Sequence, residues 1–220
     1  IQAGIANDGK IFLSDSDKVS KSYTETTQSD FNSGTLNDVV ATSAGDLELT
    51  TTMGKSLSFD GVDDYVDCGN SPVLNLQNSL TIEAWINLDT ATGRNIIVSR
   101  WFPAGGEQYY FEARESGGVQ KIHIFLWDTA AREVWGTTDL GTGWHHVAVT
   151  WDKNTIKLYV DGVQEANTTS LSNSLRTSTN KTYLGADGAY PERTFDGIID
   201  DVRIWNVART QQQIQDNINK

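Results

Sequence analysis

From Lys55 to Trp205 the chain is a succession of short segments in which apolar and polar residues mostly alternate: SLSF, YVDC, LTIEAWINL, NIIVSRW, QYYFEAR, KIHIFLW, HHVAVTW, TIKLYVDG, KTYLGA and GIIDDVRIW. Period-2 alternation sends successive side chains to opposite faces of a strand. The β-branched and aromatic residues suit a pleated, half-buried surface. Turn signals separate the segments: Asn70-Ser71-Pro72, Thr92-Gly93-Arg94, Ser116-Gly117-Gly118, Asp152-Lys153-Asn154 and Asp161-Gly162. So many short strands at such regular spacing predict an all-β fold, a two-sheet antiparallel β-sandwich.

Residues 1–54 read differently. They are rich in Ser, Thr, Asp and Gly, and short apolar pieces interrupt them at Lys10 to Leu13, Phe31, Leu36 to Ala41 and Leu47 to Leu49. This predicts an N-terminal extension or linker with two or three short strands, followed by the sandwich over 55–220. At the other end, Ile214 and Ile218 are spaced i, i+4 in a polar stretch, which predicts one or two helical turns docked by those residues.

An acidic phrase occurs twice, as FDGVDDYVDCG from Phe59 and as FDGIIDDVRIW from Phe195. Ca²⁺ takes several oxygen ligands from carboxylates and carbonyls. If the first and last strands of the sandwich pair antiparallel, Asp60 is expected beside Asp200. The expected ligands are Asp60, Asp64 and Asp200 with the Gly61 carbonyl, and Asp201 or Asp63 as alternates. Alternation puts Asp200 on the face of Val202 and Ile204, where a carboxylate is costly unless paired or metal-bound. The competing expectation is that these carboxylates accept backbone N–H bonds in tight turns.

Net charge is −12, which argues against nucleic acid or an anionic membrane surface as partner. No apolar run approaches the roughly 20 residues needed to span a bilayer. The single cysteine, Cys68, is expected as a buried small residue. The sequons at Asn167 and Asn180 read as ordinary loop polar residues.

The phrases SLSFDGVDDYVDCG, SLTIEAWINL, WHHVAVTWD, TIKLYVDGV and GIIDDVRIWNVART, in that order, resemble the laminin-G-like, concanavalin A-like lectin/glucanase superfamily, in its bacterial and archaeal secreted branch. The resemblance covers about residues 55–218. It implies a jelly-roll sandwich with a structural Ca²⁺, in a module that binds carbohydrate or serves glycan-active or adhesive proteins. It also marks Trp85, Trp144, Trp151 and Trp205 as structural. Trp101, Trp127, Trp135 and Tyr190 lie outside the shared phrases. With Arg114 and Arg193 they are the candidate sugar contacts, because rings offer apolar area and charged groups fix hydroxyls. Arg100, Arg114, Arg132 and Arg193 alternatively suit the carboxylate of an acidic sugar.

No catalytic residues are expected. The Glu-x-Asp-x-Glu strand that glucanases of this fold use is missing, and Gln120 and His123 are spaced to opposite faces of their strand. The expectation is therefore a non-catalytic glycan-binding module, secreted or at the cell surface. Its partners are a polysaccharide and other subunits or modules of the same surface protein. An adhesion or assembly module making protein contacts is the alternative, and a glycan-active enzyme of the same fold is the remote one.

Overall fold

The computed structural model of the protein describes residues 2–5, 11–14, 56–102, 106–190 and 193–218. Near the N-terminus β1 (Gln2–Ile5) and β2 (Ile11–Ser14) form an antiparallel pair. The second of these falls on the apolar piece at Lys10 to Leu13. The expected pieces at Phe31, Leu36 to Ala41 and Leu47 to Leu49 lie outside the described residues.

The remaining strands are β3 (Leu57–Asp60), β4 (Val66–Asp67), β5 (Leu80–Leu88), β6 (Arg94–Arg100), β7 (Tyr109–Ser116), β8 (Val119–Trp127) and β9 (Ala131–Trp135), then β10 (Trp144–Trp151), β11 (Thr155–Val160), β12 (Val163–Ser170), β13 (Tyr183–Leu184) and β14 (Asp196–Trp205). They form two six-stranded sheets, ordered β12-β11-β10-β5-β14-β3 and β4-β13-β6-β7-β8-β9. All strand pairs are antiparallel. The expected sandwich is what forms.

Alternation builds the core. Leu80, Ile82, Ala84, Ile86 and Leu88 of β5 and Val147, Val149 and Trp151 of β10 face inward from the first sheet. Tyr109, Phe111 and Ala113 of β7 and Ile122, Ile124 and Leu126 of β8 meet them from the second. Cys68 joins this cluster, and burial pushes its thiol up to about 12, so it stays protonated.

The first and last strands of the sandwich do lie side by side, and the two Phe-Asp-Gly phrases face each other. Asp60 is opposite Asp196 and Phe59 is opposite Gly197. The Phe59 and Phe195 rings meet edge to face at 5.9 Å inside the core. This register corrects the expected neighbour of Asp60: it is Asp196, whereas Asp200 pairs with Trp85 of β5. The face of Asp200 is corrected too. A bulge between Asp200 and Arg203, with Asp201 at φ 49°, resets the alternation. Ile199, Val202 and Ile204 therefore face the core, and Asp200 does not share their face.

Strand β12 closes one edge of the sandwich although its sequence is polar. The Thr169 hydroxyl and the Asn167 amide donate to the Glu133 and Trp135 carbonyls of β9, in the other sheet. Glu165, the one buried side chain of β12, accepts the backbone N–H and hydroxyl of both Thr137 and Thr138. The edge of the second sheet is thus capped by side chains instead of by another strand. Asn167 is a strand residue here, which corrects its reading as loop.

Helix α1 (Gln211–Ile218) covers the outer face of the first sheet. Ile214 is fully buried against Ala148 and Tyr159. The second docking residue is Asn217, which donates to Glu83; Ile218 is only half-buried.

Candidate functional site

The outer face of the second sheet gathers the chain's aromatic and charged side chains into four rows. Register fixes the rows, because directly paired residues share a face. Trp101 and Trp127 stand at one end, 5.3 Å apart and edge to face. Next come Tyr110 and Phe125, paired across β7 and β8, both in ring contact with Trp101 at 5.8 Å and 5.9 Å. The third row is Glu112, His123 and Trp135, in successive strands. The fourth is Arg94, Arg114 and Lys121, directly opposite one another across β6, β7 and β8.

Ion pairs hold the middle of this face rigid. Glu112 is fully buried and takes a forked pair from Arg94 at 2.8 Å and 3.1 Å. His123 Nδ1 lies 2.9 Å from the same carboxylate, and its Nε2 lies 3.2 Å from Glu133. The Trp135 ring stacks on His123 at 3.9 Å, and the Arg114 guanidinium lies over Trp135 at 5.3 Å. Arg193 lies over the Tyr190 ring at 3.8 Å and meets Asp187 at 3.3 Å. Burial raises the Asp187 carboxyl, against the lowering effects of its hydrogen bond from Ala189 and of Arg193.

The Tyr110 hydroxyl is buried with no hydrogen-bond partner among the described residues. Burial pushes it well above the usual phenol range. Glu112 and Asp187 add to that push, while Arg94 and Arg193 oppose it. Asp187 and Arg193 are therefore part of the same face.

All six candidate sugar contacts lie on or beside this face: Trp101, Arg114, Trp127, Trp135, Tyr190 and Arg193. Trp101 is half-buried against the sheet, while its neighbour Phe102 is exposed. Trp127 carries Arg176 over its ring at 5.4 Å. Arg100 does not belong here, because it is fully buried and donates to Thr182 and Ser178. Asp128 is buried and accepts from Thr129, Ala130, Asn173 and Arg132, so that group is a structural turn. The residues that the sequence reading missed are Arg94, Tyr110, Glu112, Lys121, His123 and Phe125. Following the Arg114 and Trp127 faces along β7 and β8 in steps of two would have found the last five.

The four tryptophans marked as structural divide. Trp151 and Trp205 are buried, Trp85 is half-buried and Trp144 is exposed. Trp144 and Trp85 lie on the outer face of the first sheet, 6.4 Å apart, because alternation in β10 sends Val147 inward. His145 bonds Asp161 and the Leu140 carbonyl.

A second cluster lies at the turn after β3. Ligand oxygens of Asp60, Asp63 and Asp64 sit within 4.8 Å of one another. Asp60 accepts from Val62 N–H, and Asp64 accepts from Asp60 N–H. The Gly61 carbonyl already accepts from Thr194. Asp196 packs against Gly61, where an added Cβ would meet the Asp196 Cβ at 2.9 Å. Asp200 and Asp201 stand elsewhere, and Asp201 pairs with Arg203 at 3.2 Å.

A family model described as the concanavalin A-like lectin/glucanases superfamily matches residues 60–215. No curated protein sequence matches the chain significantly. Among solved structures, the binding domain of Paraclostridial Mosquitocidal Protein 1 aligns with a TM-score of 0.61 at 12% identity, over 78% of this chain and 45% of that one. The chain thus spans under half of that toxin domain. Domain 4 of an extracellular arabinanase from Geobacillus stearothermophilus, solved with arabinotriose, gives 0.59 at 19% identity, over 77% and 79%. The CBM40 of the Ruminococcus gnavus IT-sialidase, bound to α2,3-sialyllactose, gives 0.60 at 12% identity, over 74% and 95%. At these identities the structural likeness is one of fold.

Proposed function

The chain belongs to the concanavalin A-like lectin/glucanases superfamily, and from that premise we propose that it is a non-catalytic, lectin-like module that binds a glycan on the outer face of its second sheet. The observation that carries the reading is the aromatic and charged face from Trp101 to Arg114. Half-buried rings offer apolar area to sugar C–H faces, and paired guanidiniums and carboxylates offer fixed donors and acceptors to hydroxyls. The complexes of the arabinanase domain and the sialidase module with sugars support it by fold analogy. Glu112 is clamped between Arg94 and His123 and fully buried, which suits a scaffold better than an acid or nucleophile. A secreted or surface setting follows from the reading, since the glycans such modules meet are extracellular.

The test is a glycan array followed by titration monitored by tryptophan fluorescence. Trp101→Ala and Trp135→Ala are expected to weaken binding by roughly tenfold each, at about 1–2 kcal/mol per lost ring contact, with the fold intact by circular dichroism. An array with no binding to any glycan would sink the proposal.

We further propose a structural Ca²⁺ at Asp60, Asp63 and Asp64. Three carboxylates this close suit a hard cation, which would neutralise their mutual repulsion and brace the β3 turn. Asp200 and Asp201 have no part in it.

A further inference from the structure

The fourth row of the face is a local inversion of the molecule's charge. In a chain of net charge −12, Arg94, Arg114 and Lys121 stand directly opposite one another on three adjacent strands. Like charges in directly opposed pairs destabilise a sheet, so the row calls for something to offset it. Glu112 offsets part: it binds Arg94 in a fork but lies 3.8 Å from Arg114, in ion-pair range without a hydrogen bond. That carboxylate is also fully buried, so a molecule approaching from solvent meets the cations first.

The neighbouring acids are committed elsewhere. Glu133 stands two rows away, opposite Phe125, and reaches His123, and Asp187 is tied to Arg193. Glu115 sits at the hairpin end with its carboxylate towards the Gly93 N–H. Among the described residues no carboxylate lies within ion-pair distance of Lys121. Arg114 is a third exposed, its guanidinium lies over the Trp135 ring at 5.3 Å, and its N–H donors make no hydrogen bond to the described residues. Two adjacent cations with open donors, one resting over an aromatic ring, form a fork for an anionic oxygen group.

We infer that the glycan bound by this face carries an anionic group, a carboxylate or a sulfate, and that Arg114 and Lys121 hold it while Trp101 and Trp127 take uncharged sugar rings. The inference rests on the glycan-binding reading above. Trp127 is six steps along β8 from Lys121, about 20 Å at roughly 3.3 Å per residue. One sugar ring does not bridge that span, so the ligand is an oligosaccharide or longer chain.

The test uses the whole chain against carboxylated, sulfated and neutral oligosaccharides of matched length, with carboxyl-reduced forms of the carboxylated set. Anionic sugars are expected to bind. Their affinity should fall as salt rises, and it should drop roughly tenfold in Lys121→Gln, the loss of one charge-assisted hydrogen bond. The same substitution should hold or raise the melting temperature, since it relieves the repulsion with Arg114, so the loss of affinity is not a loss of fold. Loss of binding on carboxyl reduction identifies the carboxylate; binding confined to the sulfated set identifies the sulfate. Binding to neutral sugars alone, or affinity for anionic ones that ignores both salt and Lys121→Gln, overturns the inference and leaves the lectin reading standing. Binding to no glycan overturns both.

Discussion

Gly197 shows how one atom can decide a sheet. It sits at φ +136° where β14 passes β5, and a Cβ there would run into the Asn87 carbonyl. Gly197→Ala is therefore expected to lower the melting temperature by on the order of 10 °C, about 3 kcal/mol in a domain of this size, by thermal circular dichroism. His146 is a second residue with a large effect. Its ring is buried beside Trp85, and neither nitrogen has a hydrogen-bond partner among the described residues. Burial, helped by Arg203 and opposed by Asp161, brings its pKa down to about 4. The unfolded chain, with an ordinary histidine near 6.5, binds more protons between those two values. Stability from this group is full above about pH 6.5 and is lost as pH falls towards 4, on the order of 3 kcal/mol. Glu83, raised by burial, acts with the opposite sign: its cost grows as pH rises. Urea melts across this window should show a shallower acid loss in His146→Phe than in the parent.

At the scale of elements, legibility followed hydrophobic period. Strands β5, β7, β8, β10, β11 and β14 were readable because alternate residues are apolar. Strand β12 was not read at all: the segments legible in the sequence stop at the Asp161-Gly162 turn and resume at KTYLGA. Glu165 is its one buried side chain, so the period that marks a half-buried strand is missing. The Asp200 bulge was illegible for a different reason: a bulge inserts one residue into a pattern whose sequence reads as unbroken alternation. That one residue moved Asp200 off the core face. The four-residue error in its distance from Asp60 came from register, which turns and packing set and composition does not. Helix α1 was half readable. Ile214 docks as its spacing predicts, while Asn217 docks through a hydrogen bond to Glu83 that no apolar pattern signals. Ile214→Ala should cost about 2–4 kcal/mol in chemical denaturation. It should leave glycan affinity unchanged, because the helix covers the other sheet.

For the whole molecule, the sandwich is closed by residues far apart in sequence. Strands β3 and β14 pair across more than a hundred residues of chain, and the β3 turn with its three aspartates sits at their junction. A cation there would act on the global equilibrium. Ca²⁺ at a hundred times its dissociation constant is expected to add about 2.7 kcal/mol of stability. A raised melting temperature, reversed by chelator and abolished in Asp63→Asn, would register it; no shift would leave the aspartates as turn formers. The candidate glycan face was legible as residue types, since tryptophans and arginines stand outside the shared phrases. Its organisation into rows was not, because only the pairing of β6 through β9 makes Arg94, Arg114 and Lys121 neighbours.

The side-chain seal between the sheets bears on how the protein should be produced. Asn167, in the sequon Asn167-Thr168-Thr169, spends its amide on the Trp135 carbonyl, and Thr169 spends its hydroxyl on Glu133. Asn180, in the second sequon, donates its amide to the Gly106 carbonyl. An expression host that attaches N-linked oligosaccharide to nascent chains would load these nitrogens before the seal can form. Material from yeast or insect cells is therefore expected to carry a loosened β9 edge that material from a bacterial host lacks, so the choice of host is itself a structural variable for this fold.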